Sequence, residues 1–241
     1  MTTQPLVQSS QSLQNLQLAQ NYQKVMQDLA LANRCADFDH EARLLAVSKT
    51  KPASDIRELF GLGQADFGEN YLQEALAKQA LLSDLPIVWH YIGSIQRNKT
   101  RDIATHFDWV HTIERGIIAK RLSEQRGDMA PLNVLIQVNI DDEHSKSGIP
   151  PSQLLALVDE IKDLANLRLR GIMIIPAKDS DNAFVRARSL FDEVGAVRKL
   201  AYWDTLSMGM SGDMAQAVAC GAGIVRVGTA LFGLRDGNQD G

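Results

Sequence analysis

Short apolar runs and longer amphipathic stretches alternate along almost the whole of this 241-residue chain. Runs rich in β-branched and other apolar residues fall at 44–50, 65–69, 88–93, 109–113, 134–140, 169–175, 205–210 and 224–232, and these predict eight strands. Between them, residues 53–62, 71–82, 115–125, 152–164, 184–200 and 212–220 carry apolar positions at helical spacing, with a weaker helical pattern over 96–106. Ahead of the first run, Leu16, Ala19, Met26, Leu29 and Leu31 recur near the same spacing, which predicts a helix over 13–36 behind a flexible tail at 1–12. Repeated strand–helix units imply parallel strands joined by helical crossovers, and eight of them match the count of a TIM-type (β/α)8 barrel. Only residues 233–241 follow the last run, too few for a proper helix, so the N-terminal helix is the candidate for the eighth helical position. The competing architecture, an open doubly wound sheet, usually places a glycine-rich phosphate loop after its first strand, and Ser48-Lys49-Thr50-Lys51-Pro52 is not one.

Length and composition sharpen this picture only in part. With 45% hydrophobic residues the chain can bury a full core, and a barrel of this size is routinely one domain, here taken as residues 1–241. No internal repeat, low-complexity segment or Pro-, Gly- or Ser-rich linker divides it, and the longest polar break, 141–151, reads as a loop over the barrel mouth. A formal charge of -4 with no cluster of Lys and Arg argues against nucleic acid as a partner. Two cysteines, Cys35 and Cys220, suggest neither a disulfide framework nor a metal site. The first twelve residues lack the basic start and apolar stretch of a signal peptide, and no apolar run approaches membrane-spanning length, so a cytoplasmic protein with no membrane partner is expected.

In such a barrel the functional groups sit at the C-terminal ends of the strands. Lys49 closes the first apolar run, Leu44-Leu45-Ala46-Val47-Ser48, and a lysine whose amine is desolvated attacks aldehydes, whereas one that snorkels to solvent does not. Asn70, in Phe67-Gly68-Glu69-Asn70-Tyr71, reads either as a ligand-facing group or as a cap for the next helix. His90, at the end of strand three, is given a lining role only. In strand five Val134, Ile136 and Val138 face the helices while Gln137 and Asn139 point inward; in strand eight Arg226 points inward between Val225 and Val227. A guanidinium inside a barrel requires an acceptor, either a protein carboxylate or a ligand atom. The loops after strands seven and eight, Ser207-Met208-Gly209-Met210-Ser211-Gly212-Asp213 and Arg226-Val227-Gly228-Thr229-Ala230, are rich in small and hydroxyl residues at the corner where barrels commonly bind phosphate, unless they are tight turns chosen for packing. An aldehyde-reactive lysine, an inward arginine and a phosphate cradle together describe pyridoxal 5'-phosphate (PLP) as the cofactor.

These residues resemble the pyridoxal phosphate homeostasis protein family, related to the barrel domain of alanine racemase. The likeness rests on Ala46-Val47-Ser48-Lys49-Thr50-Lys51-Pro52, Phe67-Gly68-Glu69-Asn70-Tyr71, Trp89-His90-Tyr91-Ile92-Gly93, Ser145-Lys146-Ser147-Gly148, Leu206-Ser207-Met208-Gly209-Met210-Ser211 and Val225-Arg226-Val227-Gly228-Thr229. It implies a fold-type III PLP-binding barrel in which Lys49 forms the internal aldimine, Arg226 approaches the ring nitrogen, Ser207, Ser211, Gly228 and Thr229 surround the phosphate, and Asn70 lines the cofactor near its ring. Ser94, where the family often has proline, departs from the pattern in the local loop. The resemblance further implies a regulatory, non-catalytic protein of vitamin B6 balance that holds PLP and delivers it to PLP-dependent apo-enzymes. Racemases add a second domain that supplies a base on the opposite cofactor face and mediates dimerisation; its absence here implies weak catalysis and a monomer. The alternatives are a racemase using His90 or Tyr91 as the missing base, and a cofactor-free lysine aldolase. Lys146 reads as an ordinary loop lysine and Cys220 as packing at a helix end.

Overall fold

The computed structural model of the chain describes residues 4–143, 146–178, 180 and 182–233. In chain order its first half comprises helix α1 (Gln4–Cys35), strand β1 (Arg43–Val47), α2 (Ala53–Gly61), β2 (Asp66–Glu69), α3 (Leu72–Leu81), β3 (Val88–Tyr91), α4 (Thr100–His106), β4 (Trp109–Ile113) and α5 (Gly116–Arg126). The second half comprises β5 (Leu132–Val138), α6 (Leu154–Ile161), β6 (Leu167–Ile174), α7 (Ala183–Arg198), β7 (Thr205–Ser207), α8 (Met214–Ala219), β8 (Ile224–Val227) and α9 (Thr229–Phe232). The eight strands close into one barrel in sequence order, every neighbouring pair parallel, with β1 pairing β2 through Ala46 and Phe67 and β8 through Ala46 and Val227. This is the TIM-type barrel that the alternation of strands and helices predicts.

Alternation along the strands divides the apolar residues into two layers. Val134, Ile136 and Val138 of β5 and Val225 and Val227 of β8 join the layer packed under the helices. Leu45, Trp109, Leu135, Met173 and Ile224 fill the barrel interior, flanked by Val88 and Ile92. At the N-terminal end of the barrel the Trp109 indole lies between the Arg43 and Arg170 guanidinium groups, 4.8 and 4.7 Å from its ring centroid. Gly171, at φ +150, is required in β6: a side chain there would place its Cβ 2.0 Å from the Thr205 carbonyl oxygen.

Helix α1 packs against α2, α8 and α9 and so occupies the position expected for the eighth helix. Its buried stripe is Leu18, Tyr22, Val25, Leu29 and Ala32, while the predicted Leu16 and Leu31 are 56% and 55% exposed. Apolar residues lie on both sides of this helix, so spacing alone left its rotation ambiguous. The helix also starts at Gln4, upstream of the predicted 13.

Three strands end three or more residues earlier than predicted. The chain leaves β1 at Val47 and turns through Ser48–Lys51, with Thr50 at φ +63 and the Lys51 N–H donating to Ser48 O at 3.0 Å. It leaves β7 at Ser207, two residues before Gly209 at φ +89. Strand β8 stops at Val227, and Thr229–Phe232 is helical with the Phe232 N–H donating to Gly228 O at 3.0 Å. A short apolar run such as Ala230-Leu231-Phe232 suits a strand or a buried helical turn equally well by periodicity.

Candidate functional site

At the C-terminal mouth of the barrel, a cavity of about 270 Å3 is walled by Val47, Ile92, Met173, Ile175 and Met210. Its polar lining is Lys49, Asn70, Ser211, Arg226, Gly228 and Thr229, contributed by the ends of β1, β2, β7 and β8. Six of the seven residues expected to hold a cofactor therefore meet at one opening. Arg226 forms a buried floor, Lys49 and Asn70 are half-buried, and Ser211 and Thr229 lie on the exposed rim. A smaller recess of about 60 Å3 adjoins it on the far side of Lys49, between Thr50, Lys51 and Phe232.

The turn that carries Lys49 is held from both sides. Ser48 donates its N–H to Gly68 O at 3.0 Å and its hydroxyl to Glu69 Oε1 at 2.6 Å, and the Thr50 N–H donates to Glu74 Oε1 at 2.6 Å. Lys78 of α3 ties these groups together, its Nζ lying 2.7 Å from Ser48 O, 2.7 Å from Glu69 Oε1 and 2.6 Å from Glu74 Oε1. Burial pushes the Glu69 carboxyl above its ordinary range, against the opposing pull of Lys78 and Ser48. Spacing could have pointed to Lys78, which shares the inward face of α3 with Leu72 and Ala75.

Asn70 is positioned by Gly93. A Cβ at position 93 would lie 2.0 Å from the Asn70 carbonyl oxygen, so only glycine lets the end of β3 pass this close. The Asn70 side-chain Oδ1 is buried without a hydrogen-bond partner. An unpaired buried acceptor at a cavity wall costs on the order of 1–3 kcal/mol and fits a ligand that brings a donor.

Arg226 is buried, and among the described residues no carboxylate pairs with it. It donates from Nη1 to Ser207 Oγ and from Nη2 to Ile174 O, each at 2.8 Å. Desolvation draws its pKa down to about 10, partly offset by Asp213, so the guanidinium remains charged at neutral pH and can only donate. Ser207 is the one expected cofactor residue placed elsewhere: it is fully buried, accepts from Arg226 and faces His111 Nδ1 at 3.1 Å, beneath the cavity floor rather than on its wall. As the last residue of β7 it points into the barrel, whereas Ser211 lies beyond the Gly209 turn that carries the chain to the rim.

The two residues considered as alternative bases are likewise away from the cavity lining. His90 is buried in the barrel between Asp66 and His111, and Tyr91 faces the helices, donating its hydroxyl to Ser94 O at 3.0 Å. In the loop after β5, Ile149 pairs back onto Val138, and no described residue of 141–151 lines the cavity; Ser145 of the quoted motif lies outside the described residues. Lys146 lies 3.4 Å from Glu143. Cys35 is exposed, and Cys220 is half-buried at the end of α8, as expected for a packing role.

Residues 16–236 match the family model described as alanine racemase, N-terminal domain. The pyridoxal phosphate homeostasis protein of Pseudomonas aeruginosa is 52% identical over 226 residues, covering 91% of this chain and 96% of the relative. The chain belongs to the pyridoxal phosphate homeostasis protein family. A second member, from Escherichia coli K12, is 49% identical over 214 residues, covering 86% of this chain and 92% of the relative. Among solved structures, PipY of Synechococcus elongatus with PLP bound superposes with a TM-score of 0.78 at 35% identity, covering 90% of this chain and all of that one. Alanine racemase of Corynebacterium glutamicum shares the barrel at a TM-score of 0.68 and 17% identity, a likeness of fold that covers 61% of the racemase chain.

Proposed function

We propose that this protein is a PLP-binding regulator that holds the cofactor reversibly at the barrel mouth and takes part in vitamin B6 homeostasis by buffering PLP and passing it to apo-enzymes. The observation that carries the reading is the convergence of Lys49, Arg226, Asn70, Ser211, Gly228 and Thr229 on one small cavity. PLP supplies an aldehyde that condenses with primary amines, a pyridine nitrogen and an anionic phosphate. Lys49 is the amine that captures the aldehyde covalently, on a turn that Glu69, Glu74 and Lys78 hold in place. Arg226, a permanent donor, meets the ring nitrogen and leaves it unprotonated, which makes the ring a weak electron sink. Ser211, Gly228 and Thr229 hold the phosphate at the rim, and Asn70 Oδ1 gains a donor from the ligand. PipY of Synechococcus elongatus, a relative of the same fold, is solved with PLP bound, which supports the choice of ligand.

A racemase reading requires a base on each face of the substrate, and neither His90 nor Tyr91 reaches the cavity lining. Exposure of the phosphate rim suits a site that releases its ligand as well as holding it. Loaded protein should be yellow, lose that colour in Lys49→Ala, and transfer PLP to an apo-enzyme faster than PLP dissociates into solution. Transfer no faster than spontaneous release would eliminate delivery and leave storage. Exchange of the α-proton of an amino acid above the rate of free PLP would overturn the non-catalytic reading.

A further inference from the structure

Beneath the cavity floor a file of polar groups crosses the barrel interior. It runs from Arg226 on β8 to Ser207 on β7 at 2.8 Å and from Ser207 Oγ to His111 Nδ1 on β4 at 3.1 Å. It continues from His111 Nε2 to His90 Nδ1 on β3 at 2.9 Å and from His90 Nε2 to Asp66 Oδ1 on β2 at 2.8 Å. The two ends dictate the direction of every bond. A guanidinium has only donors and a carboxylate only acceptors, so Ser207 accepts from Arg226 and gives its own proton to His111 Nδ1. His111 then carries its proton on Nε2 and donates to His90, which carries its proton on Nε2 and donates to Asp66. Each imidazole has one donor and one acceptor, and the file uses all four.

Burial keeps both rings neutral: His90 and His111 are 0% exposed and both lie below the ordinary imidazole value, His111 well below it. The charged groups facing them are Asp66, Arg43 and Asp108 around His90, and Arg226 and Arg43 around His111. The Asp66 side chain is 18% exposed, so its charge is partly hydrated at the far end of the barrel. His90 also stacks on Trp109, with ring centroids 5.4 Å apart and planes 8° from parallel, which fixes its rotation.

Resting on the PLP reading above, we infer that Asp66, His90 and His111 are positioning residues that fix Arg226, through Ser207, against the cofactor ring. The file locks the Ser207 hydroxyl as an acceptor toward Arg226, and its aligned dipoles, ending on a carboxylate, stabilise the guanidinium charge that desolvation penalises.

Two variants and a probe test this. Pyridoxine 5'-phosphate keeps the pyridine nitrogen and phosphate of PLP but has no aldehyde, so its affinity reports the ring and phosphate contacts without Lys49. His111→Phe keeps a ring of similar size and breaks the file; Asp66→Asn keeps an acceptor for His90 and removes the charge, which Asp66 also presents to Arg43 at 3.3 Å. With a buried hydroxyl left without its acceptor, His111→Phe should bind pyridoxine 5'-phosphate roughly tenfold more weakly and shift the absorbance band of bound PLP. Asp66→Asn should move both readouts in the same direction by a smaller factor, and it carries the test if His111→Phe does not fold. Wild-type affinity and spectrum in the folded variants, with only Tm lowered, would overturn the inference and leave the file a purely structural feature. Failure of the unmodified protein to bind either ligand would instead sink the PLP reading itself, so the two failures are distinct.

Discussion

Replacing Lys78 by methionine keeps the length of the side chain and removes the cation that closes the network behind Lys49. Lys78 and Glu69 are 7% and 0% exposed and 2.7 Å apart, so the variant leaves Glu69 with only the Ser48 hydroxyl, in a place water does not reach. Breaking one partner out of a buried ion pair costs about 3–5 kcal/mol. In a chain of this size each kcal/mol lowers Tm by about 2–4 °C, so thermal denaturation should fall by roughly 6–20 °C. The sign of the pH dependence follows from Glu69. Its folded-state pKa is already raised by burial, so the folded state binds its proton more readily than the unfolded chain does. That contribution to stability is complete below the ordinary carboxylate value and is lost as pH rises through the raised one. Loss of Lys78 enlarges the effect, so the variant should be closer to wild type at pH 5 than at pH 8. Adding Glu69→Gln should recover much of the loss, because the buried charge is then gone as well. A Tm drop of under about 3 °C, equal at both pH values, would refute the claim that this pair holds the turn.

The remaining predictions concern the cavity walls. Gly93→Ala forces a Cβ against the Asn70 carbonyl and should cost about 1–3 kcal/mol in urea denaturation while also weakening PLP retention. Gly171→Ala, which meets the Thr205 carbonyl far from the mouth, should lower stability by a similar or larger amount, about 2 kcal/mol or more, yet leave the spectrum of bound PLP unchanged. Ser211→Ala removes one rim hydroxyl and should weaken pyridoxine 5'-phosphate binding roughly five- to tenfold, with Tm of the ligand-free protein within a degree or so of wild type.

Much of this molecule is legible in its residues because the two periodicities of a barrel differ so plainly. Period two in Val134–Val138 places Leu135 and Gln137 inside and the valines and isoleucine outside, and the structure follows it. Where that signal weakens, the expectation moves. The apolar tail of the last run folds as α9, since a one-turn helix and a strand end share the same composition. The rotation of α1 was concealed by apolar residues on its outer side. Lys49, Asn70, Ser211, Arg226, Gly228 and Thr229 could be placed together because barrel strand ends converge by construction. Ser207 could not be distinguished from Ser211 by residue type, and only the Gly209 turn between them assigns one to the interior and the other to the rim. Spacing places Lys78 on the inward face of α3 but does not name its partner Glu69, nine residues earlier on β2. The Ser207–His111–His90–Asp66 file joins residues 21 to 96 apart in the chain, and long-range pairing of that kind has no periodic signature.

Borohydride reduction of PLP-loaded protein followed by peptide mass mapping addresses the central claim most directly. The account expects the pyridoxyl mass on the peptide containing Lys49, with label lost in Lys49→Ala. Label confined to any other lysine, or none on protein that has bound PLP, would contradict it.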